Sequence, residues 1–94
     1  MLEDYLKVMG LIKEAGEIRT RKRVQKLVYL LQQRGAPFNE HFGLNYYGPY
    51  SNELQIELDQ LQEANLIDQK FEEGSYFYRL QNSVKNLLKK KNHR

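Results

Sequence analysis

Cysteine and tryptophan are both absent from this chain of 94 residues. Without cysteine there is no disulfide framework, no thiolate metal ligand and no thiol nucleophile. That composition is compatible with a reducing cytoplasm, the expected location. No apolar run approaches the roughly 20 residues needed to span a bilayer. The opening Met1-Leu2-Glu3-Asp4-Tyr5 also lacks the basic-then-apolar pattern of a secretory signal. The six glycines are dispersed and none belongs to a phosphate-cradling loop. Histidine occurs only as His41 and His93, and neither has a second ligand at metal-site spacing. A grouping of Ser51, His41 and Glu40 can be drawn, but Ser51 is better used as a helix cap. The expectation is therefore no catalytic residue, no metal and no cofactor: a protein that works by binding another macromolecule.

Basic residues are also missing from a long stretch. No lysine or arginine falls between Arg34 and Lys70, where Glu40, Glu53, Glu57, Asp59, Glu63 and Asp68 are all found. The cations gather elsewhere, at Arg19, Arg21, Lys22, Arg23 and Lys26, and again at Lys85, Lys89, Lys90, Lys91 and Arg94. The net charge of +3 thus conceals a basic part and an acidic part. Hydrophobic residues make up 40% of the chain, so seven tyrosines and four phenylalanines must supply much of its cohesion.

Leu2, Tyr5, Leu6, Met9 and Ile12 recur at helical spacing before Gly16, which predicts a first helix over Leu2–Ala15. Ile18 suits a short edge strand. Thr20 suits the N-cap of a second helix whose apolar face is Val24, Leu27, Val28 and Leu31, with Gly35 and Pro37 ending it. Residues 36–50 read as an aromatic-rich structured loop with a turn at Gly48-Pro49. Ser51 then caps a third helix running to about residue 64, with Leu54, Leu58 and Leu61 on one face, and Asn65 stops it. Two strands, 66–72 and 75–80, flank a hairpin turn at Glu73-Gly74. Val84, Leu87 and Leu88 mark a short amphipathic helix. The predicted fold is α+β, mostly helical and winged-helix-like: three helices, a β-hairpin wing and a short C-terminal helix. One domain covers 1–82, and 83–94 form the last helix and a basic tail.

Several of these segments form a pattern. Lys26-Leu27-Val28-Tyr29, Phe38, Phe42, Tyr47-Gly48-Pro49-Tyr50-Ser51, Glu53-Leu54, Leu58, Leu61 and Leu66-Ile67 together resemble the YwgA-like proteins of bacteria and archaea. That family is similar to the SocA-like antitoxin (Panacea) domains. The resemblance covers roughly residues 2–80, and Tyr-Gly-Pro-Tyr-Ser is its most specific element. It implies a winged-helix-like fold without a catalytic centre. For antitoxin-type relatives it implies action by protein contact, either neutralising a toxin or delivering it to a protease.

Two candidate surfaces follow. The third helix carries Glu53, Glu57, Asp59 and Glu63 and no cation. Set in a major groove, it would repel phosphates where DNA readers gain affinity. The connection between the second and third helices is also several times longer than in a helix-turn-helix. The preferred reading is a protein-protein adaptor or antitoxin-like regulator whose partner meets Tyr47, Gly48, Pro49, Tyr50, Glu53 and Glu57. The tyrosines either fill the core or anchor an interface. The alternative is a regulator binding duplex DNA through Arg21, Lys22, Lys26, Lys70, Arg79 and the basic tail. A homodimer is compatible with either. Arg21, Lys22 and Arg23 sit in a first helical turn, where the dipole disfavours cations. They await either an external anion or an internal partner such as Glu14, Glu17 or the third helix.

Overall fold

The computed structural model describes residues 2–46 and 48–92. Its order is α1 (Leu2–Ala15), β1 (Ile18–Arg19), α2 (Arg21–Gln33), β2 (Gly43–Asn45), β3 (Gly48–Tyr50), α3 (Asn52–Glu63), β4 (Ile67–Glu72), β5 (Ser75–Leu80) and α4 (Asn82–Asn92). The architecture is α+β, with four helices and two small antiparallel sheets. No helix among the described residues is long and apolar enough to cross a membrane.

Local signals set most of these boundaries. The Thr20 hydroxyl accepts a hydrogen bond from the Arg23 amide at 3.1 Å, and Ser51 Oγ accepts one from the Leu54 amide at 3.2 Å. Both cap a first turn whose amides have no helical partner. At its other end α2 closes through left-handed Gly35, while the Ala36 amide donates to the Leu31 carbonyl at 2.9 Å. Asn65, at φ 61°, ends α3 in the same way. In the turn between β4 and β5, Glu73 and Gly74 both take positive φ, the geometry that matches strand twist in a tight hairpin.

β5 lies between β1 and β4. Ile18 pairs with Tyr78, and Ile67 with Leu80. That register turns Ile18, Ile67, Tyr78 and Leu80 inward to meet Val8 and Ile12 of α1, Val24 and Val28 of α2, and Leu54, Leu58 and Leu61 of α3. Residues 36–50 depart from the loop expected there. Part of the segment forms a ribbon in which Gly43 faces Tyr50 and Asn45 faces Gly48. Gly48 at φ 113° permits the tight return. Pro49 is tolerated because a two-stranded ribbon has only outer edges.

Candidate functional site

The segment between α2 and α3 is held at both of its ends by one helix. Gln25 and Gln32 are seven residues apart on α2 and so lie on one side of it. Gln25 is buried, accepting from the Ser51 amide at 2.8 Å and donating to the Ser51 carbonyl at 3.0 Å. Gln32 repeats this arrangement two turns later, accepting from the Glu40 amide at 3.0 Å and donating to the Glu40 carbonyl at 2.9 Å. Each amide side chain stands in for a strand neighbour and satisfies backbone groups that a loop would otherwise leave unpaired.

Further contacts secure the base of the β2–β3 hairpin. Lys7 Nζ donates to the Pro37 carbonyl. The Phe42 ring meets Tyr29 edge-on, with centroids 5.2 Å apart. Glu53 Oε1 accepts from the His41 amide at 2.8 Å, and both its oxygens lie 3.0 Å from His41 Nδ1. These bonds hold the Glu53 carboxyl below the usual carboxylate range. His41 was considered in the sequence only as a metal ligand or base; its place is in this contact.

Glu40 is buried, with 5% of its surface exposed, and its carboxylate faces that of half-buried Glu57. Apart from the contact between the two carboxyls themselves, no group of a described residue donates to either Glu40 oxygen or to Glu57 Oε1. Two ionised carboxylates would thus face each other in a poorly solvated place. Burial raises both acids, and Glu57 is pushed up to about 8, with its hydrogen bond to Glu40 and the Glu40 charge adding to the effect. Asp4 of α1 reinforces both shifts. Both shifts favour one proton held between Glu57 and Glu40 over two bare carboxylates. Glu57 follows Glu53 by one turn on the same side of α3, but it is half-buried against Glu40 and not part of the outer acidic surface expected of the helix. It is i+3 from Leu54 and i−4 from Leu61, at the flank of the buried stripe, and points to the loop. Glu53, Asp59 and Glu63 remain exposed.

Beyond this anchored base the hairpin tip is bare. Leu44 is 94% exposed and Tyr46 99%. Gly48, Pro49 and Tyr50 are half-buried, and Tyr47 lies outside the described residues. An open cleft of about 540 Å³ runs beside the tip and is lined by His41, Leu44, Tyr50 and Glu53, among others. Sequence reasoning placed Tyr46 in an aromatic segment but overlooked Leu44. The available signal was the alternation of Leu44, Asn45 and Tyr46 just ahead of Gly48.

The basic residues divide into two groups. The Arg21 guanidinium sits 4.4 Å from the Tyr76 ring centre, and Arg19 sits 5.1 Å from that of Phe77. Aromatic faces on β5 therefore offset the unfavourable helix position of Arg21. Arg79 pairs with Glu17 at 3.4 Å and Glu72 at 3.7 Å. Lys70 is exposed on β4, away from the exposed cations Lys22, Arg23 and Lys26 on α2. The side chains of Lys89, Lys90 and Lys91, and all of Arg94, lie outside the described residues. Among the described residues no group of three or more His, Asp or Glu side chains is placed to hold a metal ion.

No family model matches the chain, and no solved structure matches it. A similar protein is "Uncharacterized protein YwgA" of Bacillus subtilis (strain 168), 35% identical over 78 residues. That alignment covers 82% of this chain and 47% of the relative, so the chain spans about half the relative's length. The aligned span takes in most of the chain, and on that identity the protein belongs to a YwgA-like family.

Proposed function

We propose that this domain is a non-enzymatic protein-binding module, an adaptor or antitoxin-like regulator, that engages its partner with the β2–β3 tip and the adjoining end of α3. One observation carries the reading: Leu44 and Tyr46 stand almost wholly in water at the end of a hairpin whose base is tightly anchored. Exposed large apolar side chains cost solubility, and their usual use is as interface anchors. Tyrosine suits that role because it adds much area for few rotatable bonds. The His41 and Glu53 contact, with Pro49 and Tyr50, supplies a polar rim around the anchors, as interfaces require.

A winged-helix-like fold is part of this proposal. α1, β1, α2, α3 and the β4–β5 hairpin follow in that order, with the β2–β3 ribbon inserted between α2 and α3, and β1 lies against β5. Kinship with SocA-like antitoxin domains, which the sequence resemblance implies, is part of the same proposal and fits action by protein contact. Duplex DNA is the weaker reading, because two of its five contacts, Arg21 and Arg79, already have internal partners.

The test is photocrosslinking from exposed position 45, in the parent and in a Leu44→Asp, Tyr46→Asp double variant, with a duplex-DNA mobility shift run in parallel. The expected outcome is one discrete crosslinked protein, lost in the double variant, with no shift of DNA. A salt-sensitive DNA shift without a protein adduct would overturn the proposal.

A further inference from the structure

On the side of α2 away from its two glutamines lies a second surface with a different chemistry. An open groove of about 420 Å³ follows the first three turns of the helix, lined by Thr20, Lys22, Arg23, Lys26, Leu27 and Leu30. Its floor is apolar: Leu27 is half-buried against the core, and Leu30 is 37% exposed. Its rim is cationic. The helix carries Arg21, Lys22, Arg23 and Lys26 and not one acidic residue. Arg21 is taken up by Tyr76, but neither Arg23 nor Lys26 forms an ion pair with a described residue. Arg23 also sits in the first turn, where the dipole opposes a cation and no carboxylate offsets it. Arg23 and Lys26 thus hold positive charge beside an apolar trough with no ion-pair partner among the described residues.

We infer that this groove is a docking site for an acidic amphipathic helix of a partner protein. Leucine-type side chains spaced i, i+3 or i+4, and i+7 would lie along Leu27 and Leu30, and flanking glutamates or aspartates would meet Lys22, Arg23 and Lys26. Charge complementarity selects the sign of the occupant, and the apolar floor selects its class. A nucleic-acid backbone would answer the cations but would leave Leu27 and Leu30 against charged phosphates, with no gain from covering them. A helix laid in the trough satisfies both. Lys22 also lines a cleft with Asn45, Pro49 and Tyr50 of the hairpin, so the test rests on Arg23, Lys26 and Leu30, and it reads the groove whether or not the tip has a partner.

The probe is a synthetic, fluorescently labelled amphipathic peptide of about 18 residues, long enough to hold some helix in water. It has leucine on one face and glutamate on the flanks, and a second peptide replaces each glutamate with lysine. Anisotropy is measured with the intact chain, with an Arg23→Glu, Lys26→Glu double variant and with Leu30→Ser, each checked for folding by thermal melting. The expected result is saturable binding of the acidic peptide only, weakened about tenfold or more by the charge reversals and severalfold by Leu30→Ser. Three results would overturn the inference. The first is no saturable binding of the acidic peptide. The second is binding lost on charge reversal but unmoved by Leu30→Ser, with duplex DNA of about 20 base pairs bound more tightly, which makes the occupant a nucleic acid. The third is sedimentation showing self-association that Arg23→Glu, Lys26→Glu abolishes, which makes the occupant a second copy.

Discussion

The facing carboxyls of Glu40 and Glu57 make a prediction whose sign is unusual for acidic side chains. An acid raised above its unfolded value binds its proton more tightly in the folded state, so its stabilising contribution is complete below the unfolded value and disappears as pH rises through the folded one. For Glu57 the window runs from 4.5 to about 8. At full value such a displacement is worth about 5 kcal/mol, at roughly 1.4 kcal/mol per pH unit. Glu57 keeps partial access to solvent, which screens its charge, and less than half of that is expected to survive, about 2 kcal/mol. In a domain of this size that corresponds to a fall in Tm of roughly 8–16 °C between about pH 5.5 and pH 9.

Glu57→Gln isolates the cause. The amide donates to Glu40 at every pH, so the second ionisation never occurs and the two acceptors never face each other. Thermal melts followed by circular dichroism should show the parent losing stability across this window while Glu57→Gln stays flat and overtakes it at the alkaline end. Neither of the other displaced groups interferes. Glu53 is lowered, so its contribution is lost only as pH falls below 4.5, and Tyr78 is raised above 10, so its own falls away only in stronger alkali. A parent whose Tm is level or rises over the window, or a Glu57→Gln variant that declines in parallel with it, would refute the shared proton.

Three other perturbations probe the same frame. Gln25→Ala orphans the buried Ser51 amide, while the Ser51 carbonyl keeps the Gln55 amide at 3.2 Å, so the expected loss is roughly 1–3 kcal/mol in urea denaturation. Thr20 holds φ 75°, ψ 144°, a conformation costly for a β-branched residue. Thr20→Gly should therefore leave stability within about 0.5 kcal/mol, whereas Thr20→Ala, which keeps the strain and loses the cap, should cost about 1 kcal/mol or more. The Leu44→Asp, Tyr46→Asp double variant should melt within a few degrees of the parent, since both side chains lie in water and neither packs on the core.

The helices were legible in the sequence because their ends are local events. Thr20 and Ser51 cap from within three residues, and Gly16, Gly35 and Asn65 stop the chain through their own φ, so α1 to α3 fall where the spacing of apolar residues placed them. The β2–β3 ribbon was not legible. It pairs three residues with three, two of them glycine and one proline, and none of these favours a strand by itself. Gln25 and Gln32 gave no signal in the sequence because their partners, Ser51 and Glu40, are 26 and 8 residues away. Glu57 illustrates the limit most sharply. Its spacing from Leu54 and Leu61 puts it beside the buried stripe, but only the arrival of Glu40 from the loop turns a surface charge into a protonated acid.

α2 serves the two proposed surfaces with two different faces. Gln25 and Gln32 lie on one side of the cylinder; Arg23 and Leu30 lie on the other, with Lys26 between, at about 100° of rotation per residue. The inward face spends its polar groups on backbone, which fixes a long connection without burying it in a core and leaves Leu44 and Tyr46 projecting from a rigid base. Rigidity matters because a tip that is already ordered loses less entropy when a partner covers it. The outward face sets Arg23 and Lys26 beside leucines. Loosening the inward face with Gln25→Ala should therefore weaken capture at the tip while leaving acidic-peptide binding in the α2 groove nearly unchanged, provided the helix itself persists. If both were lost together while circular dichroism showed α2 intact, the two faces would be one coupled site, and the division of labour argued from their geometry would be wrong.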